Sequence, residues 1–476
     1  MLRHLLLRAL LPLALWAGLA SPATAACTDR QPPAERPAGV PARLPELLYE
    51  CVTLEGSGRS LWMGETGRQH DTTVLLVHGL GHMAHRDWRA VIGPLSRQFH
   101  VLAVDLPGFG ASDALPDGYS FAGLDRVLDE VVSRFARGGR AHVVGHSLGG
   151  AVSLNFAHRH PARVDRLVLV DAAGILLMNL YAMPPRLVIP ESGFSPVDRL
   201  MRRMDAGVNG LSRAVAGRVD DRMDPSRWLE RNPLVRNALL GPYTQVDAAV
   251  GLVQHDFTEA VLNVRAPTTL IWGRDDPVAP LRTGRLLAAR MPQARLEVIP
   301  DTGHAPMTQR PAAFEPLLMQ ALTGPVEPRD AAVPAIDTFQ GGAQCDARLG
   351  GRYSGRHGLV ELRNCQDVVI RDAHLDGLVL NNSSVVLDNV AIVADGVALD
   401  ARRSHVTATN VNLSGRVGVR TDGSMLDLAG ARITAEQRAV EVVNTSWIYF
   451  SISEMDAPDH RGNVHRVWPG APTARP

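Results

Sequence analysis

Residues 141–150 read Ala-His-Val-Val-Gly-His-Ser-Leu-Gly-Gly. An apolar strand runs into G-x-S-x-G and a helix follows at once. That order lifts the hydroxyl of Ser147 above a sheet on a sharp turn, with glycines where side chains would collide. A serine hydroxyl needs a base before it can attack. His304 lies in Gly-His-Ala-Pro, after one apolar strand and before a helix, in a loop from which an imidazole reaches toward Ser147. The chain has 17 histidines, so it is this position that singles out His304. A base of this kind needs an acceptor that fixes its tautomer and stabilises the imidazolium. Residues 272–280, Trp-Gly-Arg-Asp-Asp-Pro-Val-Ala-Pro, offer two acids, and the G-x-x-D spacing favours Asp276 over Asp275. Asp171, at the end of another strand, is a third candidate. The oxyanion formed on attack needs fixed donors. The Leu148 amide opens the helix after Ser147, and the Leu80 amide lies in His78-Gly79-Leu80-Gly81. His78, His82 and His85 cluster there without a carboxylate pattern, so they are expected to be structural. No metal site and no cofactor are expected.

These residues require strands to carry them. Short apolar runs appear at Val74–Val77, Val101–Val104, His142–Val144, Leu167–Val170, Thr269–Trp272 and Leu296–Ile299. Helical stretches separate most of them, near Trp88–Gln98, Ala122–Arg137, Leu148–His160, Leu281–Arg290 and Ala313–Leu322. Continuously apolar strands alternating with helices predict an α/β fold with a mostly parallel sheet covered on both faces. The alternation pauses at about 175–262, too long for a plain loop, and a helical lid is expected there. Its methionines suit lid packing or an adaptable apolar pocket.

Together these residues resemble the α/β-hydrolase superfamily, in particular its lid-bearing branch of esterases, lipases and carbon–carbon bond hydrolases. Asp105-Leu-Pro-Gly-Phe-Gly-Ala-Ser-Asp113 is similar to the family's loop after the fourth strand. The resemblance covers roughly 50–325. It implies Ser147 as nucleophile, His304 as base and acid, Asp276 as orienter, and Leu80 and Leu148 as oxyanion donors. Haloalkane dehalogenases and epoxide hydrolases of this fold use an aspartate nucleophile, and serine at 147 argues against both.

The remaining segments divide the chain. Residues 1–25 read as an export signal: Arg3, His4 and Arg8, an apolar run from Leu5 to Ala20, then Ala23-Thr24-Ala25. That run falls short of the ~20 residues of a spanning helix. A linker at 26–46, the hydrolase domain at 47–322, a second linker at 323–344 and a β-solenoid domain at 345–476 follow. In the last domain Ile370-x-x-Ala373-x-Leu375 recurs from Leu387, Ala408 and Leu428, at spacings of 17, 21 and 20 residues. Small apolar residues alternating with turn formers predict stacked coils, a right-handed parallel β-helix. A β-sandwich is the alternative. The pattern is similar to pectate-lyase-like β-helices, but Asp372, Asp376, Asp388, Asp395 and Asp400 read as turn formers. Four cysteines allow three pairings, and proximity favours Cys27–Cys51 and Cys345–Cys365, as export permits.

The chain has 476 residues with 49 basic and 49 acidic side chains, 45% hydrophobic. That balance is globular, and with no net positive field nucleic acid is not an expected partner. No membrane span is expected after signal removal. The expected function is an exported serine hydrolase, periplasmic or extracellular, acting on a small-molecule or polymer-bound carboxylic ester. The same side chains would serve a carbon–carbon bond or amide hydrolase. A third reading is a cell-envelope protein that contacts polysaccharide through its C-terminal domain, with a subsidiary hydrolase.

Overall fold

The computed structural model describes residues 44–81, 83–116, 118–177, 244–325, 344–346 and 351–470. The expected export signal, most of both expected linkers, His82 and residues 178–243 of the expected lid lie outside these residues.

An eight-stranded sheet organises the first part of the chain. In chain order the elements are β1 (Leu48–Thr53), β2 (Ser60–Thr66), β3 (Thr73–Val77), α1 (Arg89–Ser96), β4 (His100–Val104), α2 (Phe121–Phe135), β5 (Ala141–His146), α3 (Leu148–Arg159) and β6 (Val164–Val170). From residue 244 onward come α4 (Thr244–Gln254), α5 (Thr258–Asn263), β7 (Thr268–Gly273), α6 (Leu281–Arg290), β8 (Ala294–Ile299), α7 (Pro306–Gln309) and α8 (Pro311–Thr323). The strand order is β1-β2-β4-β3-β5-β6-β7-β8. The β1–β2 and β2–β4 pairs are antiparallel and the others parallel. The expected strands are all present. β1 and β2 were not anticipated, because an edge strand with the burial alternation of β1 lacks a continuous apolar run.

The apolar runs are continuous because each face meets its own core. On β3, Leu75 and Val77 join a core with Leu124 and Val131 of α2 and Leu154 of α3. Val74 and Leu76 join another with Ile92 of α1 and Phe314 of α8. Full burial of such a side chain contributes roughly 1.5–3 kcal/mol, so the sheet is held from both sides. The expected lid region needs one correction. Its last part belongs to the body: Phe257 and Val261 lie in the α2–α3 core, and Asp247 accepts from the Tyr119 amide at 2.6 Å.

The rest is an all-β region: β9 (Gln344–Asp346), β10 (Arg352–Arg363), β11 (Val368–Asn381), β12 (Ser384–Val393), β13 (Val397–Arg402), β14 (His405–Asp422), β15 (Met425–Ala429), β16 (Arg432–Asn444), β17 (Ser446–Ala457) and β18 (His460–Gly470). Neighbours pair in parallel apart from β17–β18. The repeat positions face one another: Ile370 with Leu387, Leu387 with Ala408, and Ala408 with Leu428. Their side chains form one apolar core. Asp372, Asp376, Asp388 and Asp400 depart from the turn expectation, because all four lie within strands, and the last two hold arginines. Asp388 pairs with Arg285 and Arg371, and Asp400 with Arg402.

This region packs directly on the hydrolase part. Arg282 of α6 donates to Asp427, to Thr409 Oγ1 at 3.1 Å and to the Ala408 carbonyl at 3.1 Å. The Leu177 amide donates to Ser451 Oγ at 3.0 Å. Ala429 and Ile452 are buried in the α2–α3 core of the hydrolase part.

Candidate active site

Three loops at the carboxyl ends of the strands converge. Ser147 joins β5 to α3 with φ 52° and ψ −117°, a strained conformation for a side-chain-bearing residue. Neighbouring glycines permit it. A Cβ at Gly145 would stand 2.3 Å from the Gly149 carbonyl oxygen, and one at Gly149 would stand 2.4 Å from that of Val77. The strained turn is fixed by its own amide, which donates to the Val170 carbonyl at 2.9 Å.

The His304 loop follows β8 and is pressed against the end of β7. A Cβ at Gly273 would lie 2.2 Å from the Gly303 carbonyl oxygen, so only glycine allows this approach. The Asp275 amide donates to the Thr302 carbonyl at 2.9 Å, and the Gly303 amide to Gln309 Oε1 at 2.7 Å. The imidazole then bridges two partners. Its Nε2 lies 2.8 Å from Ser147 Oγ, and its Nδ1 lies 2.8 Å from Asp276 Oδ2. The neutral ring satisfies both when Nδ1–H donates to the carboxylate and the serine O–H donates to Nε2. Asp276 is buried, and its Oδ1 accepts the Val278 and Ala279 amides at 2.7 and 3.1 Å. Asp275 is exposed. Burial depresses the His304 imidazole below its ordinary 6.5, outweighing the hydrogen bond to Asp276. A base held neutral near pH 7 can accept a proton from Ser147.

The segments that carry the two expected amide donors lie next to the serine. Leu148 is the first residue of α3, where helix amides are unpaired. The Leu80 turn passes close by, since a Cβ on Gly79 would lie 3.2 Å from Ser147 Cβ. Histidines hold that turn, as expected for a structural role. The buried His78 accepts the Leu106 amide on Nε2 at 2.9 Å and donates from Nδ1 to the Gly79 carbonyl at 2.7 Å. His85 donates from Nδ1 to Asp105 Oδ1 at 2.7 Å and accepts on Nε2 from the Tyr49 hydroxyl at 3.0 Å.

Two further residues border the site. His146 donates from Nε2 to the His304 carbonyl at 2.6 Å, with Asp87 3.9 Å from its other nitrogen. Its position beside Ser147 was the only sequence signal for it. Asp171 is fully buried beside Asp276 but does not take the His304 ring.

The arrangement can generate an alkoxide-like nucleophile, stabilise an oxyanion and return a proton to a leaving group. Comparison with known proteins agrees with hydrolysis. The family model described as alpha/beta hydrolase fold matches residues 72–311. A poly(3-hydroxyalkanoate) depolymerase of Ectopseudomonas oleovorans is 31% identical over 265 residues, covering 54% of this chain and 86% of that protein. A 2-hydroxy-6-oxononadienedioate/2-hydroxy-6-oxononatrienedioate hydrolase of Comamonas testosteroni is 29% identical over 269 residues, covering 52% of this chain and 87% of that protein. A solved hydrolase from Pseudomonas aeruginosa is 24% identical with a TM-score of 0.42, covering 58% of this chain and 98% of that one. On the family match and the depolymerase alignment, the chain belongs to the α/β-hydrolase fold family.

Proposed function

We propose that this hydrolase is an exported serine enzyme that cleaves a carboxylic ester through an acyl-enzyme. The reading is carried by one observation: the His304 ring bridges Ser147 Oγ and Asp276 Oδ2 at 2.8 Å on each side. Ser147 Oγ attacks the ester carbonyl as His304 Nε2 takes its proton. The Leu80 and Leu148 amides receive the oxyanion, and each such donor lowers the barrier by roughly 3–4 kcal/mol. The tetrahedral adduct collapses, His304 protonates the departing alcohol, and the acyl group stays on Ser147. His304 then removes a proton from water, which attacks the acyl-enzyme and releases the acid. Asp276 holds the ring in the productive tautomer throughout. Ser147→Ala should abolish turnover of a short-chain p-nitrophenyl ester and labelling by a fluorophosphonate. Turnover retained in the pure folded variant would defeat the reading.

The named relatives support two substrate classes. The depolymerase supports a polymer-bound or small ester. The dienedioate hydrolase supports the second reading, in which the same side chains cleave a carbon–carbon bond. Rates on an ester series and on a 2-hydroxy-6-oxo-dienoate separate them.

The leader at 1–25 motivates export, and the disulfide-bonded state of Cys51 and Cys365 supports the pairings Cys27–Cys51 and Cys345–Cys365. A non-reducing peptide map of the exported chain tests both. The in-register stacking of the repeat supports a right-handed parallel β-helix for the last domain. Contact with polysaccharide draws support from a groove of about 400 Å3 there, lined by Asn382, Arg403, His405 and Trp447. An aromatic ring beside polar side chains suits a sugar, which offers both apolar C–H faces and hydroxyls. A glycan array probed with the full Ser147→Ala chain tests it, and an empty array would discard it.

A further inference from the structure

Asp171 follows β6 directly in a left-handed conformation, φ 44°, uncommon for a residue with a side chain. Its carboxyl is wholly buried. Oδ1 accepts the Gly273 amide at 2.9 Å. Oδ2 is buried and meets no donor among the described residues. What stands near the carboxyl is a second acceptor: one ligand atom each of Asp171, Asp276 and His304 all lie within 4.8 Å of one another. Two carboxylates sharing so small a dry space do not both carry charge. The distribution of donors decides which one does. Asp276 accepts from three, the His304 ring and the Val278 and Ala279 amides. Asp171 accepts from Gly273 alone. Charge therefore settles on Asp276 and the proton on Asp171. Burial first, and then the Asp276 charge, raise the Asp171 carboxyl well above the usual carboxylate range, in the same sense.

We propose that Asp171 is a positioning residue for the acid of this site: a neutral carboxylic acid that donates its O–H to Asp276, and that supplies the counter-charge to His304 when Asp276 is neutralised. The first role gives the Asp276 carboxylate one more donor and fixes the oxygen that receives Nδ1–H. The second follows from the same geometry. Without the charge on Asp276 the repulsion that holds the proton on Asp171 is gone. Asp171 then ionises within reach of the imidazolium. The proposal rests on the assignment of Ser147, His304 and Asp276 above.

Full-length variants test it with a p-nitrophenyl ester across pH. Asn suits the backbone, being enriched among residues with positive φ. Asp171→Asn exchanges one neutral donor for another. The acid limb of its kcat/KM profile should stay within about 0.3 pH unit of that of the parent chain. A fall of the limb by about one unit, the mark of a lost negative charge beside His304, would overturn the proposal. In the second arm, Asp276→Asn should turn over at least about tenfold faster than the Asp171→Asn/Asp276→Asn double variant. Equal rates for the two would also overturn it. Either failure leaves the Ser147 assignment standing, because that assignment is tested separately by Ser147→Ala.

Discussion

A methyl group at Gly149 would meet the carbonyl oxygens of His78 and Val77 at 2.3 and 2.4 Å, both of them backbone. Neither can rotate away, so Gly149→Ala must push α3 off the sheet and carry Ser147 with it. We expect turnover to fall roughly a hundredfold, as a displacement of about 1 Å at a reacting group does. A kcat measurement in a variant that keeps its circular dichroism spectrum checks this. At the same scale, His304 must be neutral to act as base. Burial lowers its imidazole below 6.5, so activity should hold at pH 6.5 and decline only below it. A kcat/KM profile centred above 6.5 would contradict that environment. Ser147, His304 and Asp276 were legible in the sequence because each sits inside its own short motif. Asp276 over Asp275 was a matter of spacing, and the structure buries the first and exposes the second. The positions of Asp171 beside Asp276 and of His146 against the His304 carbonyl were not legible as such. They depend on strands β5, β6 and β7 lying side by side, which no local pattern of residues records.

Among the elements, the parallel strands could be read because burial on both faces makes them apolar throughout. β1 and β2 escaped because their antiparallel pairing at the sheet edge leaves β1 half exposed. The repeat was legible to the residue, since its four copies pair in the register that the spacing predicts. Helix α6 was found with both ends correct, yet its task was hidden. No sequence pattern singled out the arginines at 282 and 285. Here they reach across to the all-β region. Asp427→Ala would leave Arg282 largely buried without its carboxylate, which costs about 3 kcal/mol. Its thermal midpoint should fall by several degrees, and Arg282→Met/Asp427→Leu should recover much of the loss. A midpoint unchanged in Asp427→Ala would mean that the contact adds nothing to stability.

For the whole molecule, buried histidines set the response to acid. Burial lowers the imidazoles of His78, His100, His142, His160, His255, His304 and His465, with His142 and His255 reaching about 4. The unfolded chain binds protons at these rings near 6.5 and the folded chain only further down. Their contribution to stability is therefore present above pH 6.5 and is lost as pH falls from 6.5 toward 4. Asp125, raised to about 6 by burial, and Asp171, also raised by burial, act in the opposite sense. Among the described residues the lowered rings outnumber these raised carboxyls seven to two, so urea midpoints should drop steadily across that window. A midpoint that rises from pH 6.5 to pH 4 would show that the carboxyls outweigh the rings.

The α6 contact also bears on how the molecule is made. Synthesis runs from the N-terminus, so β1 through α8 emerge while Asp427, Ala429 and Ile452 are still unmade. Until those residues arrive, Arg282 lacks its anion and an apolar flank of the enzyme half stays wet. A nascent chain caught at residue 325 would carry its serine, histidine and aspartate already translated and still lack the last wall of its own interior.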